Sequence, residues 1–440
     1  MFFSILSSAV MGSIVGYSYL KQNGLTNDAA KLQRIFKNCG LVVFEDENKK
    51  KVMRNVQLYR RKKHEWGTEY VYRIPLGLSS KDFEKKLDHI QDGLNNKKQI
   101  LDISLDDLKR LNFKQNIHAQ LKTLLNKKKR IQKEIELSYD GMLHVKVYEQ
   151  SLPEELMFSD DLLNQCCGWE VPFGVTRSEL IKHDFEKIPH LVLGGTSRYG
   201  KSNLLNMLIC SLIHKKPEKI RFTLIDLKGL MEFGGYENLK QVAHIAGEPE
   251  EARDALKAVV YEMKARQQEL RKNGCRKVQE AKGYDRHFVI VDEVGELNPM
   301  EAVSKEERQL KEECQTYMSQ IARLGAGLGY RQILATQYPT GDVIPRQCKQ
   351  NSDAKLCFRV QNGTASRVVL DEVGAEELPM IRGRAIYQMP DQRVIVQTPY
   401  ISSEQIDEII QPHIQERSEP IAKGDEGGSD PLIIEETWIP

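Results

Sequence analysis

Gly195-Thr196-Ser197-Arg198-Tyr199-Gly200-Lys201-Ser202 sets two glycines around four residues and follows them with a lysine and a hydroxyl side chain. That spacing suits a loop that wraps a polyphosphate. Without Cβ atoms, Gly195 and Gly200 let the backbone between them turn its N–H groups inward, and a helix opening at Lys201 adds the positive end of its dipole. Lys201 then reaches the β- and γ-phosphates as a point charge, and the Ser202 hydroxyl ligates Mg²⁺. Thr196, Ser197, Arg198, Tyr199 and Asn203 complete the candidate nucleotide-binding set.

A second group lies in "HFVIVDEVGEL", where the strand-like run Phe288–Val291 ends in two carboxylates, Asp292 and Glu293. Asp292 is placed to hold Mg²⁺ through its water shell, and Glu293 to orient and deprotonate an attacking water. Alone, an acidic pair after a strand is an ordinary turn. Together with the loop it points to ATP hydrolysis rather than binding alone. A third run, "QILATQ", ends in Thr336 and Gln337, whose amide can sense a γ-phosphate and hold the water.

These groups need a scaffold that brings strand ends together. Beyond Pro153, apolar runs (Leu191–Leu193, Phe222–Ile225, Phe288–Val291, Gln332–Ala335, Leu356–Val360) alternate with amphipathic stretches (Lys201–His214, Pro249–Lys272, Glu306–Leu324). This alternation predicts an α/β fold, a parallel sheet with helices on both faces and ligands at the carboxyl ends of its strands. Ahead of it, a helix at Asp28–Lys37, strands at Leu41–Phe44, Val52–Tyr59 and Glu69–Ile74, and a helix opening at Ser79-Ser80-Lys81-Asp82 predict a small α+β domain. The expected organisation is a possible transmembrane anchor over 1–22, the small basic domain over 23–150, the ATPase domain over 151–400, and a helix with an acidic, disordered tail over 401–440.

The 440 residues carry a formal net charge of only +2, yet 1–150 are rich in Lys and Arg and 401–440 are acidic. A basic front half suits an anionic partner, nucleic acid or a lipid surface, as well as a solvated face. Phe2 to Leu20 holds no charge and is just long enough to span a hydrocarbon core of ~30 Å. Ser8, Gly12 and Gly16 would lie on one helix face, and Lys21 would hold the remaining chain in the cytoplasm. Eight scattered cysteines without a C-x-x-C pair indicate neither zinc nor a disulfide framework.

The segments "VPFGVTRSELIKHDFEKIPHLVLGGTSRYGKSNLLNMLI", "TLIDLKG", "FVIVDEVGEL", "ILATQYPTGDVIP" and "NGTASRVVLDEVGAEELPMIRGRAIY" resemble, in order and spacing, the FtsK/SpoIIIE family of DNA-pumping ATPases over residues 165–400. The front module, with "LQRIFKNCGL" and "IPLGLSSKDFEKKLD", looks like the small domain of FtsK-like coupling proteins of Gram-positive conjugative elements. The resemblance implies a RecA-like P-loop motor domain, a homo-hexameric ring with ATP and Mg²⁺ at subunit interfaces, and DNA in the central channel. It assigns Gln337 as sensor and Arg367, in "ASRVVLD", as a charge near the nucleotide. It also implies a membrane-tethered translocase of conjugative transfer, served by a relaxase or transfer-channel partner.

The sequence departs from the family's pattern in three places. Arg198 and Tyr199 fill loop positions that are usually small, so a large side chain is expected to point out over the nucleotide. Ala326 stands where many relatives have a basic residue acting on the neighbouring subunit's ATP, leaving Arg323 or Arg331 as substitutes, or else slow hydrolysis. No winged-helix domain follows residue 400, which favours element transfer over chromosome segregation. Arg346 and Lys349 are the expected DNA-facing cations, and the Lys127–Arg130 cluster is a further candidate for phosphate contact. A scaffold that binds ATP to recruit a relaxase, and a chromosome-segregation-type DNA pump, stay open as alternatives.

Overall fold

The computed structural model describes residues 28–47, 50–95, 99–101, 128–130, 133–149, 151–281, 283–337, 341 and 343–415. The expected anchor at 1–22 and the acidic tail from 416 onward lie outside the described residues. Among the described residues, no helix is long and apolar enough to cross a membrane. The chain divides into two compact units, residues 1–153 with 175–180, and residues 154–174 with 181–440.

The first unit opens with helix α1 (Asp28–Asn38) and the antiparallel pair β1 (Val43–Glu47) and β2 (Lys50–Arg54). Strands β3 (Gln57–His64) and β4 (Gly67–Arg73) follow, then helices α2 (Ser80–Glu84) and α3 (Leu87–Asn95). A short pair, β5 (Gln99–Leu101) and β6 (Lys128–Arg130), precedes β7 (Glu134–Tyr139) and β8 (Leu143–Tyr148). The main sheet is antiparallel in the order β3-β4-β8-β7. Period-2 alternation turns Tyr70, Tyr72, Val145 and Val147 toward Leu32, Phe36, Ile90 and Leu94 of the helices, and all of these are buried. The expected continuous strand over Val52–Tyr59 is interrupted at Asn55 and Val56, where Val56 enters this core. Of the Lys127–Arg130 cluster, only the strand character of 128–130 is described.

The second unit carries α4 (Asp160–Asn164), β9 (Glu170–Val175), β10 (Leu180–Asp184), β11 (Leu191–Gly194), α5 (Lys201–Lys215), β12 (Ile220–Asp226), β13 (Val242–Ala246) and α6 (Pro249–Lys272). After these come β14 (Arg286–Asp292), α7 (Lys305–Leu328), β15 (Tyr330–Thr336), α8 (Arg346–Gln350), β16 (Ala354–Phe358), α9 (Gly363–Leu370), β17 (Arg384–Met389), β18 (Gln392–Gln397) and α10 (Ser403–Ile410). Ten strands form one sheet, ordered β10-β9-β18-β17-β16-β11-β15-β14-β12-β13. Strands β16 through β13 in that order run parallel, whereas β16, β17 and β18 are antiparallel neighbours. The sheet is therefore mixed rather than parallel throughout. The hairpin β17–β18 was not foreseen, although its Pro390-Asp391 turn is a usable signal.

Alternation along the parallel strands builds two cores. Leu191, Leu193, Leu224, Phe288, Ile290 and Ile333 face one side, where α5 lies. Val192, Ile225, Val289, Val291 and Leu334 face the other, under α6 and α7. Strand β15 is inserted between β11 and β14, so its end at Thr336 falls between the phosphate loop and the acidic pair. His190 extends the β11–β15 pairing, its Nδ1 accepting the Gln332 N–H at 3.0 Å. Burial, with Arg331 nearby, pushes the His190 pKa down to about 3, which keeps that nitrogen an acceptor.

Arg331 is 1% exposed at the opposite end of β15 from Thr336. It pairs with Glu186 at 2.9 Å and donates to the Ala326 carbonyl at 2.9 Å, while Arg286 holds the other Glu186 oxygen at 2.7 Å. A guanidinium committed to closing the end of α7 is not available to a neighbouring subunit, so Arg331 drops out as a substitute at Ala326. Arg323 is exposed on α7.

Gly194, where β11 meets the loop, is the tightest point of this packing. A Cβ there would stand 2.2 Å from Val369 Cγ2 of α9. Gly194→Ala should destabilise the chain by about 1–3 kcal/mol in urea unfolding. Adding Val369→Ala should make the double variant more stable than the sum of the single effects by about 0.5 kcal/mol or more. Strict additivity would show that Val369 does not take up the strain.

Candidate nucleotide-binding site

Strand β11 delivers the chain to the loop between β15 and β16, and the loop is tied to both. Gly195 N–H donates to the Thr336 carbonyl at 3.3 Å, and Thr196 gives its N–H and hydroxyl to the Arg359 carbonyl at 3.1 and 2.9 Å. Phe358 forms the floor. A Cβ on Gly195 (φ +152) would meet Phe358 Cβ at 2.6 Å, and one on Gly200 (φ +117) would come within 3.2 Å of its ring. Glycine is required at both for steric as well as conformational reasons.

From Ser197 to Ser202, none of the backbone amides donates to another described residue. Six consecutive free N–H groups at the start of the fifteen-residue helix α5 form the anion cradle expected there. Arg198 takes a left-handed conformation (φ 74) and is exposed. Tyr199 turns inward, half-buried against the core, while its carbonyl accepts the Gly383 N–H at 2.9 Å. Of the two large side chains in the loop, Arg198 is the one that points out and lines the cleft described below.

Lys201 and Asp292 are both buried and form an ion pair. Asp292 Oδ1 is the partner, whereas Oδ2 is buried with none. An orphaned carboxylate oxygen is a good ligand for the water shell of a hard cation. Ser202 Oγ, on the first turn of α5, supplies a second oxygen. No group of three or more acidic, His or Cys side chains among the described residues could hold a metal by itself. Ser202 and Asp292 thus fit Mg²⁺ that brings phosphate oxygens with it.

Glu293 takes φ 65 and ψ 61, left-handed and uncommon for a side chain with a Cβ, and it is 2% exposed. The turn carries its carboxylate toward β15. Thr336 donates its hydroxyl to Oε1 at 2.9 Å, and the Gln337 N–H lies 3.2 and 3.0 Å from the two oxygens. Gln337 Oε1 in turn accepts the Ser197 hydroxyl at 2.7 Å. Acidic pair, sensor amide and phosphate loop are thereby one connected constellation. On the other flank, Lys228 after β12 donates to Glu293 Oε2 at 3.1 Å.

A cleft of about 830 Å³ opens over the loop, lined by Ser197, Arg198, Gly200, Lys201, Ser202, Asn203, Glu232 and Gln337. The rest of its lining mixes the apolar Leu156, Met380, Ile381 and Pro399 with Tyr400, Glu154, Glu155 and Arg382. Asn203 lines the cleft but uses both ends of its amide on the backbone of Ile401, at 2.7 and 3.2 Å. Its part is to fasten α5 to the chain after β18.

Arg367 is exposed on α9 and does not line this cleft; besides Arg198 and Lys201 of the loop itself, the cation that does is Arg382. Arg382 was missed because "RGRA" carries no spacing rule, and only the return of β18 beside the loop brings it there. Arg346 is exposed, but Lys349 pairs with Asp371 at 2.6 Å and donates to the Arg367 carbonyl at 3.0 Å. Lys355 shares the same Asp371. Lys349 is therefore a partly neutralised cation rather than a free one.

Lys201→Met would leave Asp292 buried without a counter-charge. It should lower the stability of the nucleotide-free chain by about 3–5 kcal/mol, and Asp292→Asn in the same chain should recover much of the loss. Thermal unfolding of the three variants tests this, and an unchanged midpoint for Lys201→Met would mean that the pair is solvated.

The sequence model of the FtsK/SpoIIIE family matches residues 168–324. DNA translocase FtsK of Leptospira interrogans serogroup Icterohaemorrhagiae serovar copenhageni (strain Fiocruz L1-130) is 34% identical over 247 residues, covering 53% of this chain and 25% of its own length. DNA translocase FtsK of Streptococcus pneumoniae (strain ATCC BAA-255 / R6) is 31% identical over 302 residues, 60% of this chain and 38% of its own. The chain thus spans well under half the length of these curated relatives. Among solved structures, the pCW3 conjugation coupling protein TcpA, in its monomer form with ATPγS, superposes with a TM-score of 0.57 at 22% identity. That likeness covers 87% of this chain and 98% of the other, and it is one of fold. The unpartnered amides, the Lys201–Asp292 pair and the matched residues agree: residues 168–324 are an ATPase domain of the FtsK/SpoIIIE family.

Proposed function

We propose that the protein hydrolyses ATP to move DNA, as a translocase of conjugative transfer that works as a homo-hexameric ring. The observation that carries the hydrolytic part is the placement of Glu293, whose carboxylate meets Gln337, the residue that touches Ser197 of the phosphate loop. The amides of residues 197–202 and Lys201 bind the phosphates, and Gln337 orients a water against the γ-phosphorus. The water oxygen bonds to phosphorus as the bond to the ADP oxygen breaks, and the water's proton passes to Glu293. Ser202 and Asp292 would hold Mg²⁺, which would supply positive charge against that developing on the phosphate oxygens.

DNA as substrate draws on the names of the translocases that share 31% and 34% identity with this chain. The conjugative setting draws on the likeness in fold to a conjugation coupling protein and on the resemblance of the front module. Docking of a relaxase or transfer-channel protein, and a membrane tether through residues 1–22, belong to the same reading. With Arg331 locked inside its own subunit, Arg198 and Arg382 in the cleft lining and the exposed Arg323 are cations available to act near a nucleotide or across a ring.

ATP turnover should rise on adding DNA, and rings of six should be visible by electron microscopy. Glu293→Gln should bind ATP yet turn over about 10²–10⁴-fold more slowly. Lys201→Ala should lose binding as well. Binding with negligible turnover in the wild type would instead favour an ATP-holding scaffold, and turnover indifferent to DNA would contradict the translocase. For the tether, the full chain should fractionate with membranes and a chain starting at Lys21 should not; equal solubility of the two would end that part.

A further inference from the structure

Lys228 has no role in the chemistry above, yet its ammonium occupies the carboxylate on which that chemistry depends. It sits in the loop after β12, on the opposite side of β14 from β15. Glu293 is thus bracketed by Thr336 and Gln337 from one flank and by Lys228 from the other. The first two donors are neutral and belong to the strand end that faces the phosphate loop. Among the described residues, Lys228 is the one charged partner, and its side chain is 32% exposed against 3% for Glu293.

The geometry assigns Lys228 as a latch: in the resting chain it holds Glu293 Oε2 in an ion pair, and hydrolysis requires the pair to open. The inference rests on the hydrolytic role of Glu293 proposed above. A carboxylate accepts a water's proton through a free lone pair, and the Lys228 ammonium on Oε2 fills that position. Lys228 is therefore a positioning residue that acts through Glu293.

The loop that bears the latch is tied together as one piece. Asp226, at the end of β12 and fully buried, collects its backbone. Oδ2 accepts the N–H groups of Glu232 and Phe233 at 2.7 and 3.3 Å, and Oδ1 that of Lys228 at 3.2 Å. Gly229 and Leu230 both take positive φ, 69 and 61, so the chain folds back sharply just after Lys228. Two residues later the loop reaches two different surroundings. Met231 is 84% exposed, and Glu232 lines the nucleotide cleft. A nucleotide in the cleft would meet this loop at Glu232, and a polymer on the outer surface would meet it at Met231; a shift of the loop by either would pull the ammonium from Glu293.

The test is steady-state ATP turnover of the full chain with and without duplex DNA, resolved into kcat and KM, for wild type, Lys228→Ala, Lys228→Met and Lys228→Arg. Lys228→Ala should raise the DNA-free kcat several-fold, leave KM within about two-fold, and shrink the stimulation by DNA toward unity. Lys228→Arg, which keeps the cation, should restore the wild-type pattern. Lys228→Met keeps the aliphatic stem and serves if the alanine variant unfolds; it should behave as the alanine variant is expected to. A kcat that falls equally with and without DNA, or does not change, in an active wild-type background overturns the latch. A wild type that hydrolyses no ATP overturns the catalytic reading itself. Hydrogen exchange of the 226–233 peptides gives a readout apart from turnover: protection there should drop on adding ATPγS and DNA, and unchanged protection counts against the latch.

Discussion

A cation and a carboxylate held out of water, 91 residues apart in the chain, join the two halves of the site. Lys201 belongs to the first turn of the helix after β11, and Asp292 to the last position of β14. Neither charge is tolerable alone at 3% and 0% exposure, so each makes the position of the other necessary. The loop can therefore open toward the cleft with its amides free while its lysine stays anchored beneath. A bound nucleotide would not have to create this arrangement, only to share Lys201 with Asp292. Charge pre-organised in this way costs little reorganisation when phosphate arrives.

The second constraint is crowding. Gly194, Gly195 and Gly200 lie against Val369 and Phe358, and no room is left for a methyl group at the first two. The close approach brings the loop within hydrogen-bonding distance of Thr336 at the end of β15 and Arg359 just after β16. Packing and chemistry are here the same fact, since the residues that fill the space under the loop also set the direction of its amides. The strained turn at Glu293 works similarly, sending the carboxylate sideways to β15 instead of onward from β14.

Cations give the least to a reading by position, because their roles depend on their neighbours. Arg331 is a structural tie at the far end of β15, Lys349 is held by Asp371, and Arg367 faces solvent away from the cleft. Arg382, inside a segment quoted for its family resemblance but given no role there, lines the cleft with the loop's own Arg198 and Lys201. Lys228 was passed over inside "TLIDLKG" because nothing in its immediate sequence names Glu293 as its partner, 65 residues on.

By itself, the sequence determined the phosphate loop, the acidic pair, the sensor strand and the central parallel strands, because each is local: glycine spacing, an apolar run of strand length, a carboxylate at its end. Helices at Pro249–Lys272 and around Lys305–Leu328 were legible for the same reason, through their period and caps. Strand β13 was not, since Val242–Ala246 is short and only half-buried at the sheet edge, and β17–β18 was hidden among motif residues. Tertiary structure alone decided which strand lies between β11 and β14, that Tyr199 turns inward, and which ammonium holds Glu293. Those outcomes depend on pairings between residues far apart in the chain, where strand order and packing select one of several locally acceptable partners.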